Sequence, residues 1–111
     1  TGKAAISGLR VLGKGSGKAP EAVERFVPLR TEKQKRGERR NVWFKWQQNQ
    51  NADGYVIYFG KSPEKLYGSI MVYGKNEYYF NGLDASDVYY FSIEPFNNNG
   101  IGPRSEVKKA E

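Results

Sequence analysis

Three short stretches place large apolar residues at every second position, and this alternation constrains the fold more than any other feature. Val42, Phe44 and Trp46 interleave with Trp43, Lys45 and Gln47. Tyr55, Ile57 and Phe59 interleave with Val56 and Tyr58, and Tyr89, Phe91 and Ile93 with Tyr90, Ser92 and Glu94. Successive residues of a strand point to opposite faces, so each stretch offers one face to a core and one to solvent. Turn-forming runs separate them: Gln47 to Gly54, Gly60-Lys-Ser-Pro63 and Asn97-Asn-Asn-Gly100. Further strands are expected over Phe26–Thr31, where Pro28 dictates an edge, over Leu66–Tyr73, over Asn76–Phe80, and over Ser105–Lys109. Gln34 to Arg40 reads as a charged loop around Gly37, and no segment sustains a 3.6-residue period, so no helix is required. The expectation is an all-β antiparallel sandwich of seven strands, with Val42, Phe44, Trp46, Tyr55, Ile57, Phe59, Leu83, Tyr89, Phe91 and Ile93 buried. An aromatic share of 14% suits half-buried pleated surfaces, and 111 residues provide for a single core.

The chain contains no Cys and no His. Thiol nucleophiles, disulfides, imidazole bases and nearly all zinc or transition-metal sites are thereby excluded. Carboxylate chemistry remains, but a glycosidase needs two carboxyl groups opposed across a cleft, which a small sandwich rarely provides. No catalytic residue, cofactor or metal is expected. Asp53, Asp84 and Asp87 fall in turns, where Asp ordinarily bonds its own backbone. No apolar run approaches the roughly 20 residues of a membrane span.

A net charge of +6 invites a nucleic-acid reading, but its distribution argues against one. Lys3, Arg10, Lys14 and Lys18 lie in the first twenty residues with no acid among them. Arg30, Lys33, Lys35, Arg36, Arg39 and Arg40 cluster with Glu32 and Glu38. Residues 41–111 hold seven basic and eight acidic side chains, so the strand-rich body is close to neutral. Residues 13–20, Gly-Lys-Gly-Ser-Gly-Lys-Ala-Pro, have linker composition. A phosphate-loop reading fails because Ala19-Pro20 replaces the hydroxyl residue and blocks the following helix. Two units follow: residues 1–20, a strand remnant (Ile6–Leu12) plus Gly-rich linker, and residues 21–111, the sandwich. Residues 6–12 are expected to lie extended on an edge strand or near Trp43, and the linker to be mobile.

Residues 42–107 resemble a fibronectin type III domain, an immunoglobulin-like sandwich. The likeness is carried by Trp46 on the second strand, Asp-Gly-Tyr-Val-Ile-Tyr (53–58), Leu83 followed by Tyr89, and Tyr-Tyr-Phe-Ser-Ile-Glu-Pro-Phe-Asn-Asn-Asn-Gly (89–100). The resemblance implies a tyrosine corner, in which the Tyr89 hydroxyl bonds back to the backbone. Asp84-Ala-Ser-Asp87 stands where the family usually has a Pro-Gly turn. Gly-Tyr-Val-Ile-Tyr-Phe-Gly (54–60), Lys-Leu-Tyr (65–67), Met-Val-Tyr-Gly-Lys-Asn (71–76) and Tyr-Tyr-Phe-Ser-Ile-Glu (89–94) resemble the C-terminal module of bacterial family 43 glycoside hydrolases. Ile-Ser-Gly-Leu-Arg-Val-Leu-Gly (6–13) resembles the closing strand of the module before it. This implies a secreted, periplasmic or cell-surface parent of xylosidase or arabinofuranosidase type. The expected partners are its catalytic and accessory domains, with the module itself monomeric.

Three sets of residues stand out as contacts. Tyr58 and Tyr90 point outward from one sheet and, if adjacent, form an aromatic platform for a sugar ring or a neighbouring domain. Trp43 faces out from the other sheet. Lys33, Lys35, Arg36, Arg39 and Arg40 form a cationic loop that either binds an anionic polymer or is simply solvated. The function expected is a non-catalytic spacer or packing platform, with polysaccharide binding or basic adhesion as alternatives. The isolated chain is predicted to hydrolyse neither aryl-glycosides nor polysaccharides. Turnover that co-purifies with it and vanishes on a single Asp or Glu substitution would contradict this.

Overall fold

The computed structural model describes residues 17–110. The strand expected over 6–12 and its docking lie outside the described residues. Eight strands and one short helix occur in the order β1 (Val27–Leu29), α1 (Glu32–Gly37), β2 (Val42–Lys45), β3 (Gly54–Gly60), β4 (Gly68–Tyr73), β5 (Glu77–Phe80), β6 (Tyr90–Asn97), β7 (Gly100–Ile101) and β8 (Lys108–Lys109). One antiparallel sheet has the order β1-β2-β5. The second runs β4-β3-β6, with β7 and β8 both paired to β6. The Gly102 N–H to Pro95 and Ser105 N–H to Ile93 bonds fill the gap between β7 and β8. They therefore act as two halves of one interrupted last strand, and the sandwich has the seven strands expected.

The alternation assigns the faces correctly. Trp46 is 4% exposed against 42% for Trp43. Val42, Phe44, Tyr55, Ile57, Phe91 and Ile93 are fully enclosed, and Leu83 and Tyr89 are buried with them. The two sheets meet through rings, Phe44 edge-on to Phe91 at 4.9 Å and Trp46 edge-on to Tyr55 at 5.2 Å. Phe26 stacks on Phe44 at 5.9 Å and brings the segment before β1 into this layer. It reaches that position because Arg25 takes the left-handed backbone region, with φ 60°, and turns the chain between Val23 and Phe26. Both flanking side chains are buried.

Phe59 departs from expectation and is only half-buried. It sits near the end of β3, where its ring packs on Phe80 at 5.4 Å and Tyr89 at 6.3 Å. A Cβ on Gly68 would collide with this ring, so glycine lets β4 pass closely over it.

The expectation of no helix is also corrected. Thr31, read as the end of the first strand, instead caps α1: its hydroxyl accepts from the Gln34 N–H, and the Gln34 side chain accepts from the Thr31 N–H. This reciprocal capping box satisfies two otherwise unpaired donors, while Glu32 in the first turn and Lys35 and Arg36 in the last complement the helix dipole. α1 buries none of its residues, which is why it leaves no amphipathic signature.

Lys18, Ala19 and Pro20, read as linker, lie against the sandwich. The Asn97 amide donates to the Lys18 and Asn51 carbonyls, both at 2.9 Å, joining Lys18 to the turn that holds Asn51. Pro20 packs where a side chain on Gly102 would stand.

The tyrosine corner is present, with the Tyr89 hydroxyl accepting from the Asp84 N–H at 3.0 Å. Tyr89→Phe is predicted to cost about 1–2 kcal/mol, because the Asp84 donor loses its partner. Trp46→Ala should cost roughly 3–5 kcal/mol. Chemical denaturation measures both, and an unshifted midpoint for Trp46→Ala would contradict its place in the core.

Candidate functional site

The two outer faces carry the side chains that remain for recognition. On the three-stranded sheet, the register sets Leu29, Trp43 and Tyr79 in one row and Val27, Lys45 and Glu77 in the next. The Trp43 and Tyr79 rings meet edge-on, with centroids 6.0 Å apart and an interplanar angle of 86°. Polar neighbours brace the pair. The Trp43 indole N–H donates to Glu77 Oε1 at 3.1 Å, and Lys45 Nζ lies 4.8 Å from the Trp43 ring centre. Gln34 of α1 reaches the Tyr79 hydroxyl at 3.5 Å. Leu29, Trp43 and Tyr79 all stay exposed, so this apolar row is held in place without being covered. Trp43 was legible in the sequence, but Tyr79, Glu77 and Lys45 were not singled out. The signal was there in Glu77-Tyr-Tyr-Phe80, whose alternation turns Tyr79 outward while Tyr78 and Phe80 turn in.

The helix brings the cationic residues near this row, and their own acids engage part of the charge. Lys33 pairs with Glu38 at 3.7 Å and Lys35 with Glu32 at 3.4 Å. The Arg39 guanidinium donates to the Lys35 carbonyl, and Arg30 donates to the Arg39 and Asn41 carbonyls. Burial, with the neighbouring charge of Arg39 second, draws the Arg30 pKa down. Arg36 and Arg40 are exposed. The segment read as a charged loop is thus in part a capped helix tied to its flanks. Pairs of this exposed kind contribute little stability.

On the other sheet, the expected Tyr58–Tyr90 platform does not form. Tyr58 lies opposite Ser92, whereas Tyr90 lies opposite Gly60 and Lys109. Arg104 covers the Tyr58 ring, its guanidinium carbon 3.8 Å from the ring centre. The Tyr58 hydroxyl donates to Glu94 Oε1 at 2.8 Å, and Arg104 Nε faces Glu94 Oε2 at 3.5 Å. Burial raises the Tyr58 pKa, and the hydrogen bond to Glu94 and its charge add to the rise, while Arg104 opposes it. Through this clasp the Arg104 side chain, from the segment between β7 and β8, lies over the sheet. Beneath it Ser92 is buried, its hydroxyl without a partner among the described residues. Both rings are half-buried. Neither Glu94 nor Arg104 was foreseen, because the contact spans a loop whose path alternation does not fix.

Of the turn carboxylates, Asp84 behaves as a turn residue. Asp84 accepts from the Ser86 N–H and hydroxyl, which lower its pKa, and Lys61 bridges Asp84 and Asp87. Among the described residues no three acidic side chains gather as a metal site.

No protein-family model matches the sequence, and no curated protein matches it. Solved structures do share the fold. A Fn3-like protein from Clostridium thermocellum superposes with a TM-score of 0.70 at 15% identity, covering 85% of this chain and 94% of its own. The sixth fibronectin type III domain of human fibronectin type III domain containing protein 3 gives 0.63 at 18% identity, covering 86% and 87%. The Clostridium perfringens spore cortex lytic enzyme SleM gives 0.57 at 16% identity, covering 84% of this chain but 28% of the enzyme. Likeness at these identities is likeness of fold.

The clasp generates a directional prediction. Glu94→Gln removes the carboxylate charge facing Tyr58 and should lower its pKa, while burial keeps it above an ordinary tyrosine. Site-resolved NMR titration at alkaline pH follows this ring among the eight tyrosines. An unchanged or higher pKa would contradict the role given to Glu94.

Proposed function

We propose that this chain, a fibronectin type III-like sandwich, is a non-catalytic accessory module. In this reading it serves as a spacer or packing platform within a secreted multi-domain glycoside hydrolase acting on plant-type polysaccharide. The resemblance of four of its segments to a family 43 C-terminal module supports that context. The lytic enzyme SleM, of which the like fold occupies only part, illustrates such a sandwich within a larger protein.

The row of Leu29, Trp43 and Tyr79 carries the reading. A braced, exposed apolar row suits burial against another domain, because ordering these side chains costs little further entropy on contact. Sugar stacking asks for a flat open ring face. Here Trp43 and Tyr79 stand perpendicular, and Lys45 lies over the indole. That geometry favours domain packing over saccharide binding. Arg36 and Arg40 provide the cations for an adhesion role, but no aromatic ring interleaves with them in the sequence.

Affinity electrophoresis of the chain through xylan, arabinan and heparin separates these roles. Unretarded migration in xylan and arabinan is predicted, for Trp43→Ala as for the unmodified chain. In the intact parent, small-angle scattering should show the Trp43→Ala/Tyr79→Ala variant more extended than the unmodified enzyme. Retardation by xylan that Trp43→Ala abolishes would replace packing with carbohydrate binding. Retardation by heparin that depends on Arg36 and Arg40 would replace it with anion binding.

A further inference from the structure

The edges of the two sheets are protected unequally. β1 has three residues and contains Pro28, which has no N–H to offer a neighbour. β5 has four residues and begins at Glu77. β7 and β8 have two residues each, and both residues of β8 are lysines. Short length, proline and charge are the usual devices that keep an edge from pairing with another chain. β4 has none of them. It is six residues long, reads Gly-Ser-Ile-Met-Val-Tyr, and among the described residues pairs only with β3. It also collects exposed apolar surface: Tyr67 immediately before it is 84% exposed, Met71 56% and Tyr73 62%.

We propose that β4 is a homotypic pairing edge, through which two copies of this chain associate antiparallel about a two-fold axis at Ile70. The stretch Tyr-Gly-Ser-Ile-Met-Val-Tyr (67–73) is self-complementary in that register. An antiparallel strand meeting its own copy keeps its inner and outer faces only when the axis passes through a residue. With Ile70 on the axis, each Tyr67 meets the Tyr73 of the other copy and each Met71 meets Ser69. Ile70 meets itself beside the core seam, and Val72 meets Gly68. Both aromatic pairs then fall on the outer face, where directly opposed rings stabilise a strand pair. No charge lies within the seven residues; in this register Lys65 of one copy faces Lys75 of the other just beyond each end of the strand, which weakens the pairing. A second copy fits this edge because the segment complements itself and carries no charge of its own. The sequence reading expects a single copy, since side-chain alternation does not report which strand ends a sheet. The inference is independent of the proposed packing role, which uses the opposite sheet.

The contact is small, so association is expected only at high concentration. Sedimentation equilibrium up to about 1 mM should show the average mass rising from 12.6 kDa toward twice that value. Y67K/Y73K, which opposes lysines at both ends, should stay at the single-chain mass. Y67K/Y73E, with the same number of substitutions, should recover the dimer, because residue 67 of one copy faces residue 73 of the other. On the unmodified chain, amide exchange over 67–73 should slow as concentration rises, while β1 and β5 do not change. A single-chain mass throughout the range would overturn the proposal, as would dimers of Y67K/Y73K as strong as those of the unmodified chain. Failure of Y67K/Y73E to recover the dimer, or concentration-dependent protection elsewhere, would overturn it equally.

Discussion

Everything else in this molecule depends on the edge-to-face contact between Phe44 and Phe91 across the two sheets, at 4.9 Å. Each ring is fully enclosed, and each lies on a central strand of its sheet. Phe26 stacks on one side of Phe44, and Trp46 and Tyr55 extend the ring layer toward the Gln47–Gly54 turn. A sandwich of this length buries a modest share of its surface, so a continuous aromatic layer supplies much of the apolar burial. The polar tips of the buried tyrosines are used at the margins. Tyr55 accepts from the Asn49 N–H at 2.9 Å and Tyr89 from the Asp84 N–H, so the layer also fixes the turn and corner at its ends.

That commitment of the inner positions sorts the outer ones. Strand alternation leaves Trp43 and Tyr79 on one outside face and Tyr58, Met71 and Tyr73 on the other, and the two faces are finished differently. The first keeps its rings uncovered and braces them with Glu77, Lys45 and Gln34. The second closes its centre under Arg104, leaving exposed apolar side chains at its edges, Met71 and Tyr73 on β4 and Ile101 on β7. Arg104 belongs to the interrupted last strand, which stays bonded to β6 through Gly102 and Ser105 while the Arg104 side chain reaches over the sheet. The register of β3 against β6 and the Arg104 side chain together keep Tyr58 and Tyr90 from forming an open platform.

Much of the fold was legible because burial leaves a periodic trace. Trp46 and Trp43, three residues apart, were assigned opposite environments from alternation alone, and Tyr89 was placed at its corner by resemblance. Phe59 shares that alternation yet lies near the open end of the sandwich, and a period cannot distinguish a strand's middle from its end. α1 escaped notice because it rests on a local exchange of hydrogen bonds between Thr31 and Gln34, with no buried face. The Tyr58 clasp was illegible because it joins residues from separate strands and loops through charge and hydrogen bonding. Of the candidate contacts, Trp43 stands exposed as read, while the Tyr58–Tyr90 pairing assumed a register that the ladder places one residue pair away.

The claim that the sheets are held by coupled rings, rather than by apolar area alone, is tested most directly by a double-mutant cycle of Phe44→Leu and Phe91→Leu. Leucine keeps most of the apolar volume and removes the edge-to-face geometry. Chemical denaturation of the two single variants and the double variant should give a coupling energy of about 0.5–1.5 kcal/mol. Strict additivity, within about 0.3 kcal/mol, would show that the two rings fill space independently and would contradict this account.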